Sequence, residues 1–477
     1  MSKSKNKLRV SFPGGCATDV TGSCILLETD DIKILLDCGL FQGGTILAQY
    51  KENKEFFKKN KIKPSAIDYI FIEHAHADHA QLVELAVKEG FRGQIIMPSG
   101  NLDFFKIMAV DSSTIMQRDA EDLSKKIGKE IAPIYNLEDI AQTLLLIKEC
   151  PFEEKIKLTE ELSFRFFPTG HIINSGGIEL WVKYGNKAQH IVYTSDLGNQ
   201  QIPQYFIKPL KLPQNANLLI GECTYARPTR NATNKDREKD LEKILSIVRE
   251  TCCEKKGKVL IPVFTLHRAQ TMLSVLYDIF KNDLNFNIPI ILASPLGVKM
   301  SHLYEEQLTN GGKAYFSEVM AWKNIHLVSS FDEMAKWCDG STPCVLLSAS
   351  GMMTAGYSKY AASKFLPHSK NHIVFVGYSV ENSLASKIKD HTTKSVSIDG
   401  KQISCRALIS DLKSFSSHAS YDDLIKIYSS NNYDKIVLVH GNFNDKLLFA
   451  NELKQEMEKR NKTGKIISTN KDTVISF

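Results

Sequence analysis

Short apolar runs of four to eight residues, bounded by Gly, Asp, Asn or Pro, dominate the first 220 residues of the chain. Runs of this length read as β-strands rather than helices. Cys24–Glu28 and Ile32–Asp37, separated by Thr29-Asp30-Asp31, predict a hairpin. Further strands are predicted at 67–73, 93–97, 163–167, 178–184 and 190–195. Residues 101–148 read as mostly helical, and 159–162 as a turn. After about residue 222 the texture changes to strands alternating with helices. A charged helix at 235–253 precedes a strand at Lys258–Val263, a helix at 267–281 and strands at 288–292, 344–348 and 372–376. That alternation predicts an α/β unit around a largely parallel sheet. A strand at 435–439 and a helix at 445–460 close the chain. With no repeat and no linker between the two textures, one domain is expected to be inserted into the other.

At 477 residues the chain exceeds one ordinary core, so two or three domains are expected. Hydrophobic residues at 43% and charged residues at 24% describe a globular protein, and a net charge of +6 permits a polyanionic substrate without arguing for one. The ten cysteines contain no C-x-x-C pair and sit mostly in apolar runs, which predicts reduced core thiols. No run approaches the ~20 apolar residues of a membrane span. The basic N-terminus leads into no apolar segment, so neither secretion nor a membrane is expected, and a cytoplasmic location is.

Residues 74–79 read His-Ala-His-Ala-Asp-His, immediately after the apolar run 67–72. Imidazole nitrogen and carboxylate oxygen together suit zinc or a similar divalent ion. Two residues apart on extended backbone, His74 and His76 point to one side and can grip one ion. Asp78 and His79, past the turn, can grip a second. With thirteen histidines in the whole chain, three in six residues is an improbable accident. Four further positions repeat one pattern, a strand ending in a ligand with glycine close by: Asp37 before Cys38-Gly39, His171 after Gly170, Asp196 before Leu197-Gly198, and His440 before Gly441. Loops at strand ends display side chains on a rigid frame, and glycine lets the backbone turn tightly.

These residues and their order resemble the β-CASP family of metallo-β-lactamase-fold nucleases. The metallo-β-lactamase signatures run Asp37, His74/His76/Asp78/His79, His171, Asp196 and His440. β-CASP landmarks follow: Glu222 in Gly-Glu-Cys-Thr-Tyr, Arg268 and Gln270, Ser294-Pro295-Leu296, Ser350-Gly351-Met352, Gly377-Tyr378, and His418 in Ser-Ser-His-Ala-Ser. Segments 20–24 and 36–43 are similar to prokaryotic relatives of the endonuclease subunit that cleaves messenger-RNA 3′ ends. The resemblance implies a four-layer αββα sandwich from 1–221 and 400–477, the latter carrying the family's C-terminal motif, with an α/β β-CASP cap inserted at 222–399.

It also implies two Zn2+ ions, one on His74, His76 and His171, the other on Asp78, His79 and His440, with Asp196 bridging. Catalytic roles are implied for Asp37, Asp78, Glu222 and His418. Asp37 would act from behind the ligands, and His418 paired with Glu222 would protonate the leaving oxygen. Arg268, Ser350, Gly351 and Tyr378 are implied substrate contacts. The implied activity is hydrolysis of RNA, single-stranded by expectation, leaving a 5′-phosphate and a 3′-hydroxyl; a homodimer is also expected. His440 favours RNA over DNA in this family. Endonuclease action is expected over 5′-exonuclease action, because the chain ends soon after its last helix, without the C-terminal domain of the ribonuclease J group. Three stretches depart from the family pattern: Ser420 where Asp is common, Asn442 where Glu is common, and 379–387 where glycines are expected. None removes a metal ligand. The rival expectations are a catalytically silent scaffold subunit and a metallohydrolase acting on DNA or a small molecule.

Overall fold

The computed structural model describes residues 7–201, 206–353, 356–377, 379, 383–390 and 392–477. Its contacts divide the chain into two units, one made of 1–200, 207–231 and 418–477, the other of 201–206 and 232–417.

The first unit contains two seven-stranded sheets. One has the order Val474–Ser476, Arg9–Ser11, Ile25–Glu28, Lys33–Leu36, Tyr69–Phe71, Gln94–Pro98, Ile147–Cys150. The other runs Lys465–Ser468, Asn432–Val439, Asn215–Glu222, Lys187–Tyr193, Gly176–Tyr184, Leu162–Pro168, Ile156–Lys157. Strand periodicity explains the layering. Ile34, Leu36, Phe71 and Ile96 from the first sheet share one core with Phe164, Phe166, Leu180, Ile191, Leu218 and Val437 from the second. The Phe71 and Phe164 rings meet edge to face at 5.1 Å, a contact worth about 0.5–1.5 kcal/mol beyond its buried area. Neighbouring residues point the other way. Leu219, Ile436 and Leu438 join a separate core with Leu424, Tyr428, Phe449 and Leu453 of helices Tyr421–Ser430 and Phe443–Lys459. Leu35, Ile70 and Ile95 are buried as well, as strands covered on both faces require.

The second unit is built on six parallel strands in the order Ile325–Val328, Ile290–Ala293, Val345–Ser348, Val259–Pro262, His372–Phe375, Leu408–Asp411. Four of these strands are buried at every position, which is why they read as unbroken apolar runs. Lys258 is buried beside the sheet. Its ammonium donates to the carbonyls of Trp337, Cys338 and Gly340 at 2.7, 2.8 and 2.6 Å, capping helix Phe331–Asp339.

The unit boundaries fall at 231/232 and 417/418, against the expected 222 and 400. Asn215–Glu222, which the sequence pattern does not reveal as a strand, is an interior strand of the second sheet, pairing with Lys187–Tyr193 and Asn432–Val439. Leu408–Asp411 pairs with His372–Phe375 and so extends the inserted unit past 400. The expected helix at 235–253 is α-helical over Asn234–Val248 and continues as a π-helical turn over Arg249–Glu254. All ten cysteines are free thiols. Among the described residues, no helix is long and apolar enough to cross a membrane.

Candidate metal centre

Parallel strands gather the candidate ligands at one edge of the first unit. Lys187–Tyr193, Asn215–Glu222 and Asn432–Val439 are adjacent and parallel, and their carboxyl ends deliver Asp196, Glu222 and His440. Leu162–Pro168 reaches the same edge through two antiparallel pairings and leads to His171. In the other sheet, Lys33–Leu36 and Tyr69–Phe71 are parallel neighbours ending at Asp37 and at the 74–79 cluster. Asp37, Ser195 and His440 take left-handed backbone, with φ of 62°, 49° and 52°. Such conformations are uncommon away from glycine and concentrate where a site dictates the chain's path. Two glycines permit the loops to close: a Cβ on Gly39 would lie 1.7 Å from the Asp78 carbonyl oxygen, and one on Gly198 would lie 1.8 Å from that of Gly170.

The ligating atoms form three groups, each with its members within 4.8 Å: His74, His76, His171 and Asp196; Asp78, His79 and His440; Asp196, Glu222 and His418. Asp196 Oδ2 lies 3.5 Å from His171 Nε2 and 3.9 Å from His74 Nε2. Its other oxygen, Oδ1, lies 3.4 Å from His79 Nε2 and 3.3 Å from His440 Nδ1. One carboxylate therefore serves both histidine groups with separate oxygens. The Nε2 atoms of His79 and His440 and the Oδ1 of Asp196 are buried and make no hydrogen bond. Buried lone pairs converging in this way, on imidazole nitrogen and carboxylate oxygen, fit divalent zinc.

The electrostatics separate the groups. Burial pushes His74 well below the ordinary histidine range and His76 down to about 4, so both are neutral donors near neutral pH. Burial alone would raise the carboxyl of Asp78, but His440, His79 and His76 outweigh it and hold it below the carboxylate range. Asp196 is likewise held ionised against its burial, by His440, His79 and His418. His418 is raised despite burial, through Asp196 and Glu222; its Nδ1 lies 3.6 Å from Glu222 Oε1. Glu222 is held by backbone on both oxygens. Oε1 accepts from Leu197 N–H at 3.0 Å and Oε2 from Thr224 N–H at 2.8 Å.

Further residues, which the sequence pattern does not reveal, hold the candidate ligands in place. Asp37 Oδ2 accepts from His79 Nδ1 at 2.6 Å and from the Tyr193 hydroxyl at 2.7 Å. Thr224 Oγ1 lies 2.9 Å from His440 Nδ1, and Ser195 Oγ 3.4 Å from His74 Nδ1. His440 N–H donates to the Cys16 carbonyl at 2.7 Å. The adjoining Ala17 carbonyl accepts at 2.6 Å from Lys446, whose ammonium also donates to Thr469 Oγ1 at 2.8 Å. Partners of this kind fix ring orientation and tautomer. Tyr193 ends the strand Lys187–Tyr193 and Thr224 lies in a loop, and neither residue type announces the role.

The expected substrate contacts belong to the other unit. Arg268 opens helix Arg268–Phe280, is buried, and has Nη2 3.4 Å from Ser417 Oγ. Ser350 and Gly351 follow Val345–Ser348, the sheet neighbour of Val259–Pro262, the strand that precedes Arg268. The Ser350 carbonyl accepts from Ser358 Oγ at 2.8 Å, and a Cβ on Gly351 would meet the Phe264 ring at 3.0 Å. Tyr378 lies outside the described residues, as do Val380, Glu381 and Asn382 of the 379–387 stretch.

Residues 17–200 match the metallo-beta-lactamase superfamily, 269–388 the Beta-Casp domain, and 402–463 the Zn-dependent metallo-hydrolase RNA specificity domain. The chain is 28% identical to the transcription termination factor FttA of Methanocaldococcus jannaschii over 80% of its own length and 58% of the relative's. It therefore spans under two thirds of that archaeal factor. Ribonuclease TTHA0252 of Thermus thermophilus is 29% identical over 84% of this chain and 86% of its own. Endoribonuclease ysh1 of Schizosaccharomyces pombe is 25% identical, covering 83% of this chain and 49% of its own. A crystal structure of an Enterococcus faecalis protein of unknown function shares the fold, with a TM-score of 0.50 at 12% identity over 99% of this chain and 100% of that one. The three matched segments, in this order around this ligand arrangement, make the chain a member of the β-CASP family of metallo-β-lactamase-fold hydrolases.

Proposed function

We propose that this chain is a ribonuclease that binds two Zn2+ ions and hydrolyses phosphodiester bonds in single-stranded RNA, leaving 5′-phosphate and 3′-hydroxyl ends. The observation that carries this reading is Asp196, whose two oxygens face two separate histidine groups while His418 and Glu222 complete a third group around the same carboxylate. RNA as substrate is supported by the family's RNA specificity domain over 402–463 and by the names of the bacterial and yeast relatives.

On this reading His74, His76, His171 and Asp196 hold one ion, and Asp78, His79, His440 and Asp196 the other. When bound, such ions activate water as a nucleophile and offset the negative charge of the phosphate. The chain's own residues do the rest. Neutral His74 and His76 present lone pairs rather than protons. Tyr193 and Asp37 keep the Nδ1–H of His79 engaged, so its Nε2 faces the pocket. Glu222, immobilised by two backbone N–H groups, favours the imidazolium form of His418. That imidazolium gives its proton to the departing 3′-oxygen, which would otherwise leave as a costly alkoxide. Arg268, Ser350, Gly351 and Tyr378 are assigned to the RNA backbone, within an inserted β-CASP domain. Endonuclease action is preferred to 5′-exonuclease action, in the cytoplasm, by a homodimer whose state sedimentation velocity would read.

The test is to incubate zinc-loaded protein with circular and linear RNA and map the product ends. Cleaved circles with 5′-phosphate ends are expected. A 2′,3′-cyclic phosphate, or zinc-loaded protein that leaves every RNA intact, refutes the reading.

A further inference from the structure

The loop after Glu222 places more than a carboxylate beside His418. Tyr225 is buried with its ring 5.6 Å from that of His418, and the guanidinium of Arg230 lies 5.5 Å from the Tyr225 ring, at cation–π distance. The loop is fixed locally. Pro228–Arg230 forms a 3-10 turn with Arg230 N–H on the Arg227 carbonyl at 2.9 Å. Asn231 Oδ1 then accepts from Asp422 N–H at 2.8 Å, tying this loop to the helix that begins just after His418. Arg227 is exposed and its side chain is engaged by Asp445. The Tyr225 ring thus contacts both His418 and Arg230.

Polarity follows from the chemistry. Hydrolysis that leaves a 3′-hydroxyl expels the 3′-oxygen of the upstream nucleotide, and the acid must stand on that side of the phosphorus. His418, which the Tyr225 ring links to Arg230, then marks the upstream side of the cut. We propose that Arg230, oriented by Tyr225, binds the first backbone phosphate upstream of the cleaved bond and so sets the direction in which RNA lies across the centre. A guanidinium beside an aromatic ring is suited to this, offering several N–H donors in a fixed plane to phosphate oxygens. Arg230 is a substrate-binding residue on this account and Tyr225 a positioning residue. The inference rests on the ribonuclease reading above.

The experiment uses an RNA with a mapped cleavage site, made with one uncharged methylphosphonate at either the first upstream or the first downstream linkage. On wild-type protein the upstream substitution should lower kcat/KM by about tenfold, the scale of one charge-assisted contact. Arg230→Ala should lower kcat/KM on natural RNA by a similar factor, mostly through KM, and then be indifferent to the upstream methylphosphonate while responding to the downstream one as wild type does. Arg230→Lys should recover part of the loss and Arg230→Gln none. With metals removed by chelator, binding of the same RNA to Arg230→Ala should show a log affinity against log salt slope shallower by about 0.7 than wild type. Independent upstream and alanine penalties, coupling to the downstream linkage, or an unchanged salt slope would each overturn the proposal. Should Arg230→Ala not fold, a wild-type protein indifferent to the upstream methylphosphonate overturns it alone. Zinc-loaded wild type that cuts no RNA removes the ribonuclease reading and this inference with it; RNA that is cut, with additive penalties, removes only this one.

Discussion

The two histidine groups around Asp196 are built by different means. Three candidate ligands of the first, His74, His76 and His171, come from two loops, and the hydrogen bond between His74 Nδ1 and Ser195 Oγ is long at 3.4 Å. Burial, with the neighbouring imidazoles, keeps His74 and His76 neutral. The second group joins Asp78 and His79 to His440 near the far end of the chain, and both of its histidines are braced. Asp37 and Tyr193 hold His79, Thr224 holds His440, and the Cys16 carbonyl and Lys446 lock the loop beside it. His74 and His76, two residues apart, take their relative placement from one short segment. The second group, assembled from segments hundreds of residues apart, is clamped by residues behind its candidate ligands.

Breaking the shared element should have the largest effect. Asp196→Ala removes an oxygen from each group, and both zinc content and RNA cleavage should fall to background, as read by elemental analysis beside a cleavage assay. His418→Ala should keep both ions yet slow cleavage by about 10²–10⁴-fold, the usual contribution of a general acid; metal loss equal to that of Asp196→Ala would remove His418 from that role. Next come the braces. Tyr193→Phe and Thr224→Val should each weaken one ion by about 10–100-fold while leaving the other in place. Competition titration with a chromophoric chelator would resolve the two affinities, and equal weakening of both ions would erase the contrast between the groups.

The smallest effect lies outside both groups, at Glu84 of helix Val83–Lys88. It is buried with neither carboxylate oxygen hydrogen-bonded, and burial, with Asp139 nearby, pushes its carboxyl up to about 8. The folded state therefore keeps a proton that the unfolded chain has lost above its ordinary value of 4.5. That contribution to stability is complete below about 4.5, fades as pH rises, and is gone above about 8. Glu84→Gln should raise Tm at pH 8 and give no gain at pH 4.5, with zinc content unchanged at both; calorimetry checks it, and an equal shift at both values would contradict it.

What the sequence made legible follows the chemistry of the residues. His and Asp at strand ends beside glycine are rare enough to signal metal, and the structure brings all seven expected ligands, with Glu222 and His418, into one place. The braces were illegible because Tyr193, Thr224 and Lys446 are ordinary residues in ordinary elements, and only the pairing of distant strands gives them partners. Asn215–Glu222 escaped recognition for a related reason: its polar first half, Asn215-Ala216-Asn217, hides a strand whose last residues are buried between two others. Of the expected substrate contacts, Arg268, Ser350 and Gly351 follow strand ends of the inserted sheet, where α/β folds present ligands, but no residue pattern alone fixes what they bind.

The most direct test of the shared carboxylate is a crystal of zinc-loaded protein measured at the zinc absorption edge. Two anomalous peaks are predicted, one among His74, His76 and His171 and the other among Asp78, His79 and His440, with Asp196 between them. A single peak, or a peak seated among Asp196, Glu222 and His418, would contradict the account.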